Sequence, residues 1–208
     1  MISDWLNSPL TYPHEASMFP EEPPIYTWPG EEIECKSDMS QESDEVRLAV
    51  AQNIFQVPGV LVSRQPRRSE RHHAYTSGEI RAILTCTYEV WIKRKRNTRI
   101  ISTLRGIPLL QREEVLTDPR QSDYQQLLVD TLNMRYVGSF QKEMVDLWIW
   151  YKDLHFTMTL ADAIAGDRVL TQVELEYDGH RSDQQPPSLA EVLTTFDELI
   201  EGNPFASP

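Results

Sequence analysis

Two stretches in the C-terminal third constrain the fold more than anything else in this chain. In "LHFTMTL" (154–160), Leu154, Phe156, Met158 and Leu160 alternate with His155, Thr157 and Thr159. In "QVELEY" (172–177), Val173, Leu175 and Tyr177 alternate with Glu174 and Glu176. A period of two marks a β-strand with one apolar and one polar face. The polar face of the second stretch carries two carboxylates one residue apart. Either that face meets water, or it lines the inside of a barrel and holds a cation. The residues alone leave both readings open.

The rest of the pattern supplies several strands and three helices. Val46, Val50, Ile54 and Val57 follow helical spacing from Ser43 until Pro58-Gly59 stops them, and "VLVSR" (60–64) reads as a short strand. "QPRRSERHH" reads as a basic loop. "YEVWIKRKRNTRIISTLRG" reads as a hairpin turning at Asn97-Thr98, which groups Arg94, Arg96, Arg99 and Arg105 on one face and leaves Lys93 and Lys95 on the other. "LLQREEVL" (109–116) is a strand with Arg112 and Glu114 on one face, and Asp118-Pro119 opens a helix. "DLWIWYKD" and "LHFTMTLADAI" pair through a tight turn at Lys152-Asp153. Trp148 and Trp150 are expected to pack beneath a helix, and His155 to be solvated. "SLAEVLTTFDELIEG" closes the domain as a helix capped by Ser188 and Glu191 and ended by Gly202. This order gives an α+β fold, a curved or closed antiparallel sheet covered by amphipathic helices.

Residues 1–45 read differently. The stretch "SPLTYPHEASMFPEEPPIYTWPG" holds six prolines, and acids and serines follow it. Such composition buries too little apolar surface to offset the entropy of ordering, so the segment is assigned to a disordered or extended acidic tail ahead of a domain at 46–204. Its interleaved aromatics suit docking on a protein partner.

Charge is segregated along the chain. Residues 1–46 carry 11 acids and one base, residues 47–115 carry 13 bases and 5 acids, and residues 116–208 carry 16 acids and 6 bases. A basic middle between acidic ends points to an internal anion site or a basic surface patch, which the acidic tail could cover. Two cysteines exclude a disulfide scaffold and favour a reducing compartment. No apolar run approaches a membrane span and no leader-like succession opens the sequence, so the expected location is cytoplasmic, with the nucleus left open. Gly-rich phosphate loops, GxSxG, CxxC and HExxH are all absent from the sequence.

The succession "WIKRKR", "TLRG", "REE", "LLVDTL", "SFQKE", two hairpin strands, "VELEY" and a closing helix resembles the CYTH group, the triphosphate tunnel metalloenzymes, over roughly residues 75 to 202. The resemblance implies an antiparallel β-barrel forming a tunnel, basic side chains gripping a triphosphate, and glutamates holding Mg²⁺ or Mn²⁺. It implies phosphate-binding roles for Arg94, Arg96, Arg105, Arg112 and Lys142, and the shared hairpin face adds Arg99 to them. It further implies a catalytic acidic set of Glu114, Glu174 and Glu176, with Glu174 and Glu176 as the metal ligands. No segment is assigned to the family's first strand, of Glu-x-Glu-x-Lys type. The nearest stretch, "DEVRLAV", offers Glu45 and Arg47 and reads as helix.

Three functions follow as expectations. The first is a metal-dependent hydrolase or cyclase acting on a triphosphate-containing small molecule or nucleotide. The second is a non-catalytic tunnel module binding a nucleotide, polyphosphate or RNA 5′-triphosphate without metal. The third is an interaction protein whose acidic tail recruits a partner while the basic middle contacts nucleic acid, a partner class that the residues do not favour. No membrane partner is expected.

Overall fold

The computed structural model describes residues 20, 22–78, 80–86, 90–117, 128–129 and 133–201. Among these residues, nine strands and two helices follow in the order β1 (Glu31–Asp38), α1 (Asp44–Phe55), β2 (Leu61–Arg64), β3 (Arg68–Ser77), β4 (Ile80–Cys86), β5 (Val90–Ser102), β6 (Pro108–Thr117), β7 (Arg135–Tyr151), β8 (Leu154–Ala165), β9 (Arg168–His180) and α2 (Leu189–Leu199). The helix expected from Asp118 lies outside the described residues apart from Leu128 and Val129.

The sheet order is β7-β3-β4-β5-β6-β1-β9-β8, and β8 pairs again with β7. Eight antiparallel strands therefore close into a barrel. β2 extends the sheet beside the C-terminal half of β7, where Leu61 faces Trp150 and Arg64 faces Leu147.

The barrel is apolar outside and polar inside. Ile33 and Cys35 of β1, Val145, Leu147 and Ile149 of β7, Phe156, Met158 and Leu160 of β8, and Val173 and Leu175 of β9 face outward into one core. Val50, Ile54 and Phe55 of α1 and Val192, Phe196 and Leu199 of α2 bury their stripes against them. Each helix starts where its sequence says it should. The Ser43 hydroxyl accepts from the Val46 N–H at 3.3 Å, and Ser188 and Glu191 form a reciprocal capping box. A second outer core joins Tyr75, Ala82, Leu84, Ile92, Leu128 and Met134. No helix among the described residues is long and apolar enough to cross a membrane.

Three expectations about local structure are corrected. Residues 31–38 are not tail: β1 lies in the barrel wall, paired with β6 on one side and β9 on the other. Within 1–45, only residue 20 and those from 22 onward fall among the described residues. The basic stretch after Gln65 is not a loop, because Arg68–Ser77 form β3, paired with β4 and β7. Asn97-Thr98 is not a hairpin turn, because β5 runs straight through it. Arg96 faces Glu113 and Arg99 faces Gln111, so two residues of β5 oppose one of β6. Asn97 takes φ 53° at this bulge. The left-handed preference of asparagine is thus used to bulge the strand instead of reversing it. The tight turn at Lys152-Asp153 forms as expected, with both residues at positive φ (51° and 63°), as a two-residue hairpin requires.

Residues 22–30 lie along one end of the barrel. Ile25 forms an antiparallel bridge with His180, with N···O distances of 2.8 and 3.0 Å. Thr27 lies 2.6 Å from the Tyr177 hydroxyl, and Trp28 packs on the Tyr177 ring. Gly179 permits this approach. Its φ is +143°, and a Cβ there would sit 2.5 Å from the Ile25 carbonyl oxygen. Gly179→Ala is therefore expected to lower stability by about 1–3 kcal/mol and to release residues 22–30 from the barrel. Thermal melts and protease protection of that segment check both effects.

Candidate functional site

Because the outer face is committed to the helices, strand alternation turns the polar residues into the lumen. β1 aims Glu32, Glu34 and Lys36 inward while Ile33 and Cys35 point out. β9 contributes Glu174, Glu176 and Asp178 from the face opposite Val173, Leu175 and Tyr177. The two strands are in register, with Glu34 opposite Glu176 and Lys36 opposite Glu174. On the other side of β1, Glu32 faces Arg112 of β6. β5 brings in Lys93 and Lys95, β7 brings Lys142 and Asp146, and β3 brings Arg68, Glu70 and His72. Together they surround a cavity of about 480 Å³, within the range of small-molecule sites.

The lumen is wired by ion pairs. Arg112 reaches Glu32 at 2.5 Å through Nε and Glu34 at 2.6 Å through Nη2. Lys95 sits 2.9 Å from both Glu32 and Glu114, and Lys93 sits 3.5 Å from Glu114. Glu174 pairs with Lys36 and lies 3.8 Å from Lys142. Arg68 pairs with Asp146 and, at 3.0 Å, with Glu70. His72 Nε2 lies 3.1 Å from Glu70.

One group is less well compensated. Oxygens of Glu32, Glu34 and Glu176 all lie within 4.8 Å of one another. Burial and the neighbouring Glu32 charge hold Glu34 above the usual carboxylate range, against Arg112. Burial, Glu32 and Asp178 hold Glu176 well above it. Glu32 behaves oppositely: burial opposes its ionisation, yet Arg112 and Lys95 bring it down to about 2. Glu174 is likewise brought down to about 2 against burial, chiefly by Lys142 and Lys36. Burial pushes the Lys142 ammonium below its ordinary value despite Glu174.

Three converging carboxylates form a hard, all-oxygen donor set of the kind that suits Mg²⁺ or Mn²⁺. Glu32, Glu34 and Glu176 are the residues that could hold the ion.

The expected site residues divide into two groups. Glu114, Glu174, Glu176, Arg112 and Lys142 all stand in or at the lumen. Arg112, expected on phosphate, has its guanidinium on Glu32 and Glu34. Arg94, Arg96, Arg99 and Arg105 are corrected: none lines the lumen. Arg94 faces outward opposite Ala82, and Arg96 bonds Glu113 at 2.5 Å on the exposed surface. Arg99 bonds Gln111 at 2.9 Å, and Arg105 follows β5 and pairs with Glu201 at 2.5 Å. Three of these arginines do share a face, because the bulge at Asn97 keeps Arg99 in step with Arg96, but it is the outer one. Lys93 and Lys95 hold the inner one.

Sequence reasoning missed Glu32, Glu34, Lys36, Lys93, Lys95, Arg68 and Glu70. The signal for the first three was present in "EIECK" (32–36), which alternates charged and apolar residues with Glu-x-Glu-x-Lys spacing. In "RSERHH" (68–73) the inward residues Arg68, Glu70 and His72 alternate with Ser69, Arg71 and His73, which are polar too, so no apolar face marks the strand. His155 is also corrected: it is buried, with Nδ1 2.9 Å from Asp178. Trp148 and Trp150 stand on the inner face of β7, not beneath a helix.

No family model and no curated protein matches this chain. Solved structures similar to it in fold include the PH1012 protein from Pyrococcus horikoshii OT3, at 11% identity over 83% of this chain and 90% of that one, with a TM-score of 0.48. They also include a Bacillus halodurans protein provisionally named an adenylate cyclase, at 12% identity over 86% and 94% with a TM-score of 0.48. The Schizosaccharomyces pombe Mediator head module is similar at 10% identity over 83% and 95%, with a TM-score of 0.47.

Proposed function

We propose that this barrel binds a triphosphate-bearing molecule together with Mg²⁺ or Mn²⁺ and breaks a phosphoanhydride bond in it. The carrying observation is the convergence of Glu32, Glu34 and Glu176 beside inward-facing lysines at the barrel lumen. "EIECK" in β1 also supplies the Glu-x-Glu-x-Lys strand that the CYTH group, which the sequence resembles, carries at this place.

Charge decides between metal-dependent and metal-independent binding. Among the described residues, seven carboxylates and five lysines or arginines line the cavity. A bare polyanion entering such a lumen meets net repulsion, so the divalent cation is needed for binding and not for chemistry alone. The ion, when bound, would neutralise phosphate charge and polarise the P–O bonds. Lys36, Lys93, Lys95 and Lys142 would orient the phosphate oxygens. Glu174, held ionised between Lys36 and Lys142, positions those two ammonium groups. Glu114 does the same for Lys93 and Lys95. Arg112 fixes Glu32 and Glu34 as cation ligands and acts through them.

The test is phosphate release from tripolyphosphate and nucleoside triphosphates with Mg²⁺ or Mn²⁺, followed by a screen for cyclic nucleotide. Metal-dependent turnover that Glu176→Gln lowers at least a hundredfold is expected. Absence of turnover, together with calorimetric binding of tripolyphosphate in EDTA as tight as in Mg²⁺, would overturn the proposal in favour of a non-catalytic module.

A further inference from the structure

Just before the anchors Thr27 and Trp28, the chain reads Pro23-Pro24-Ile25-Tyr26. A proline pair, a spacer and a tyrosine make a short motif of Pro-Pro-x-Tyr form. Proline fixes its own φ at about −65° and pushes the residue before it into extended backbone. Ile25 is extended as well, because its N–H and C=O bridge His180. No helix or turn includes residues 23–26. A polyproline II chain repeats every three residues and rises about 3.1 Å per residue, which brings Pro23 and Tyr26 to one face about 9 Å apart.

The motif is presented and not buried. Pro23 and Ile25 are exposed, and Tyr26 is 55% exposed. The bridge to His180 uses only the Ile25 backbone, which leaves its side chain free of the barrel. Pro23, Pro24 and Tyr26 border a cavity of about 390 Å³ together with Trp148 and Trp150. That much space keeps the prolines from close packing on the indoles, and Trp148 is itself 42% exposed. Tyr26 also borders the lumen cavity, so a partner that takes its phenol must lift it from the barrel.

We propose that residues 23–26 dock a WW domain of another protein, whose aromatic-lined groove takes the prolines and whose neighbouring pocket takes the Tyr26 ring. SH3 grooves, the other common readers of polyproline, pair their prolines with a flanking arginine or lysine. The first such base in this chain is Lys36, inside β1. Glu21 and Glu22 precede the motif instead, which suits a groove with a basic rim. Docking and seating on the barrel exclude each other at Tyr26. Apparent affinity is therefore the intrinsic one reduced to the fraction of chains whose motif is released. This inference is independent of the lumen reading.

Calorimetry of the full chain against a panel of isolated WW domains of the Pro-Pro-x-Tyr-binding class tests it. At least one domain should bind saturably, and Pro24→Ala and Tyr26→Ala should each weaken that binding about tenfold or more. Gly179→Ala, expected to release residues 22–30, should tighten it severalfold, and the gain should vanish when Tyr26→Ala is added. A wild-type chain that binds no domain of the panel, or binding that Pro24→Ala and Tyr26→Ala leave unchanged, overturns the proposal. Equal affinity of the wild-type and Gly179→Ala chains overturns the competition with the barrel.

Discussion

Replacing Arg112 by methionine is expected to destabilise the barrel by about 3–5 kcal/mol, the cost of breaking a buried ion pair from one side. The guanidinium holds Glu32 and Glu34 at once, and those carboxylates are 4% and 1% exposed. Without it, three carboxylates share one buried space with Lys95 as the nearest cation. For a chain of this size that loss lowers Tm by about 10 °C. The origin of the effect is checkable, because Arg112→Met combined with Glu32→Gln removes one of the stranded charges. The double variant should recover a large part of the loss. An Arg112→Met protein as stable as wild type would mean that these glutamates are not ionised together in the fold.

Glu176→Gln should separate stability from metal binding. In the metal-free protein Glu176 titrates well above an ordinary carboxyl, and Glu34 is raised in the same direction. A carboxyl with a raised folded-state pKa binds more protons folded than unfolded, so its contribution falls as pH rises from about 4.5 through the raised value. Glu32 and Glu174, brought down to about 2, act oppositely and contribute above about 4.5, with that contribution lost as pH falls toward 2. Wild-type Tm without metal should therefore decline on the alkaline side of about pH 5, and Glu176→Gln should flatten that decline. The variant should equal or exceed wild-type stability at pH 7.5 in EDTA. A cation at one hundred times its Kd adds about 2.7 kcal/mol to wild type. Glu176→Gln should lose nearly all of that gain. A variant that still gains wild-type stability from Mn²⁺ would place the ion elsewhere.

The C-terminal half of the fold was legible because there the strands obey the ordinary rule. Val173, Leu175 and Tyr177 face a core, Glu174 and Glu176 face away from it, and α2 carries its own start signal in Ser188 and Glu191. β1 obeys the same rule but is short and sits among acids and prolines, with only Ile33 and Cys35 to mark its buried face. A strand whose other face lines a charged lumen has the composition of a solvated tail. Sidedness on β5 was harder still, because both faces are cationic. Lys93 and Lys95 enter the lumen while Arg94 and Arg96 do not, and nothing local to "KRKR" distinguishes them. The distinction comes from Ile92, whose burial beside Ala82 and Leu84 fixes which face is outside. Spacing put Glu174 and Glu176 on one face and the family resemblance gave that face a role, but their division of labour was not legible. It depends on Lys36 and Lys142, which reach Glu174, and on Glu32 and Glu34, which crowd Glu176.

The most direct measurement is Mn²⁺ anomalous diffraction from crystals of the protein soaked or grown with that ion. A single strong peak coordinated by carboxylate oxygens of Glu32, Glu34 and Glu176 is the expected result. A lumen without a peak at saturating Mn²⁺, or a peak confined to carboxylates on the outer surface, would contradict it.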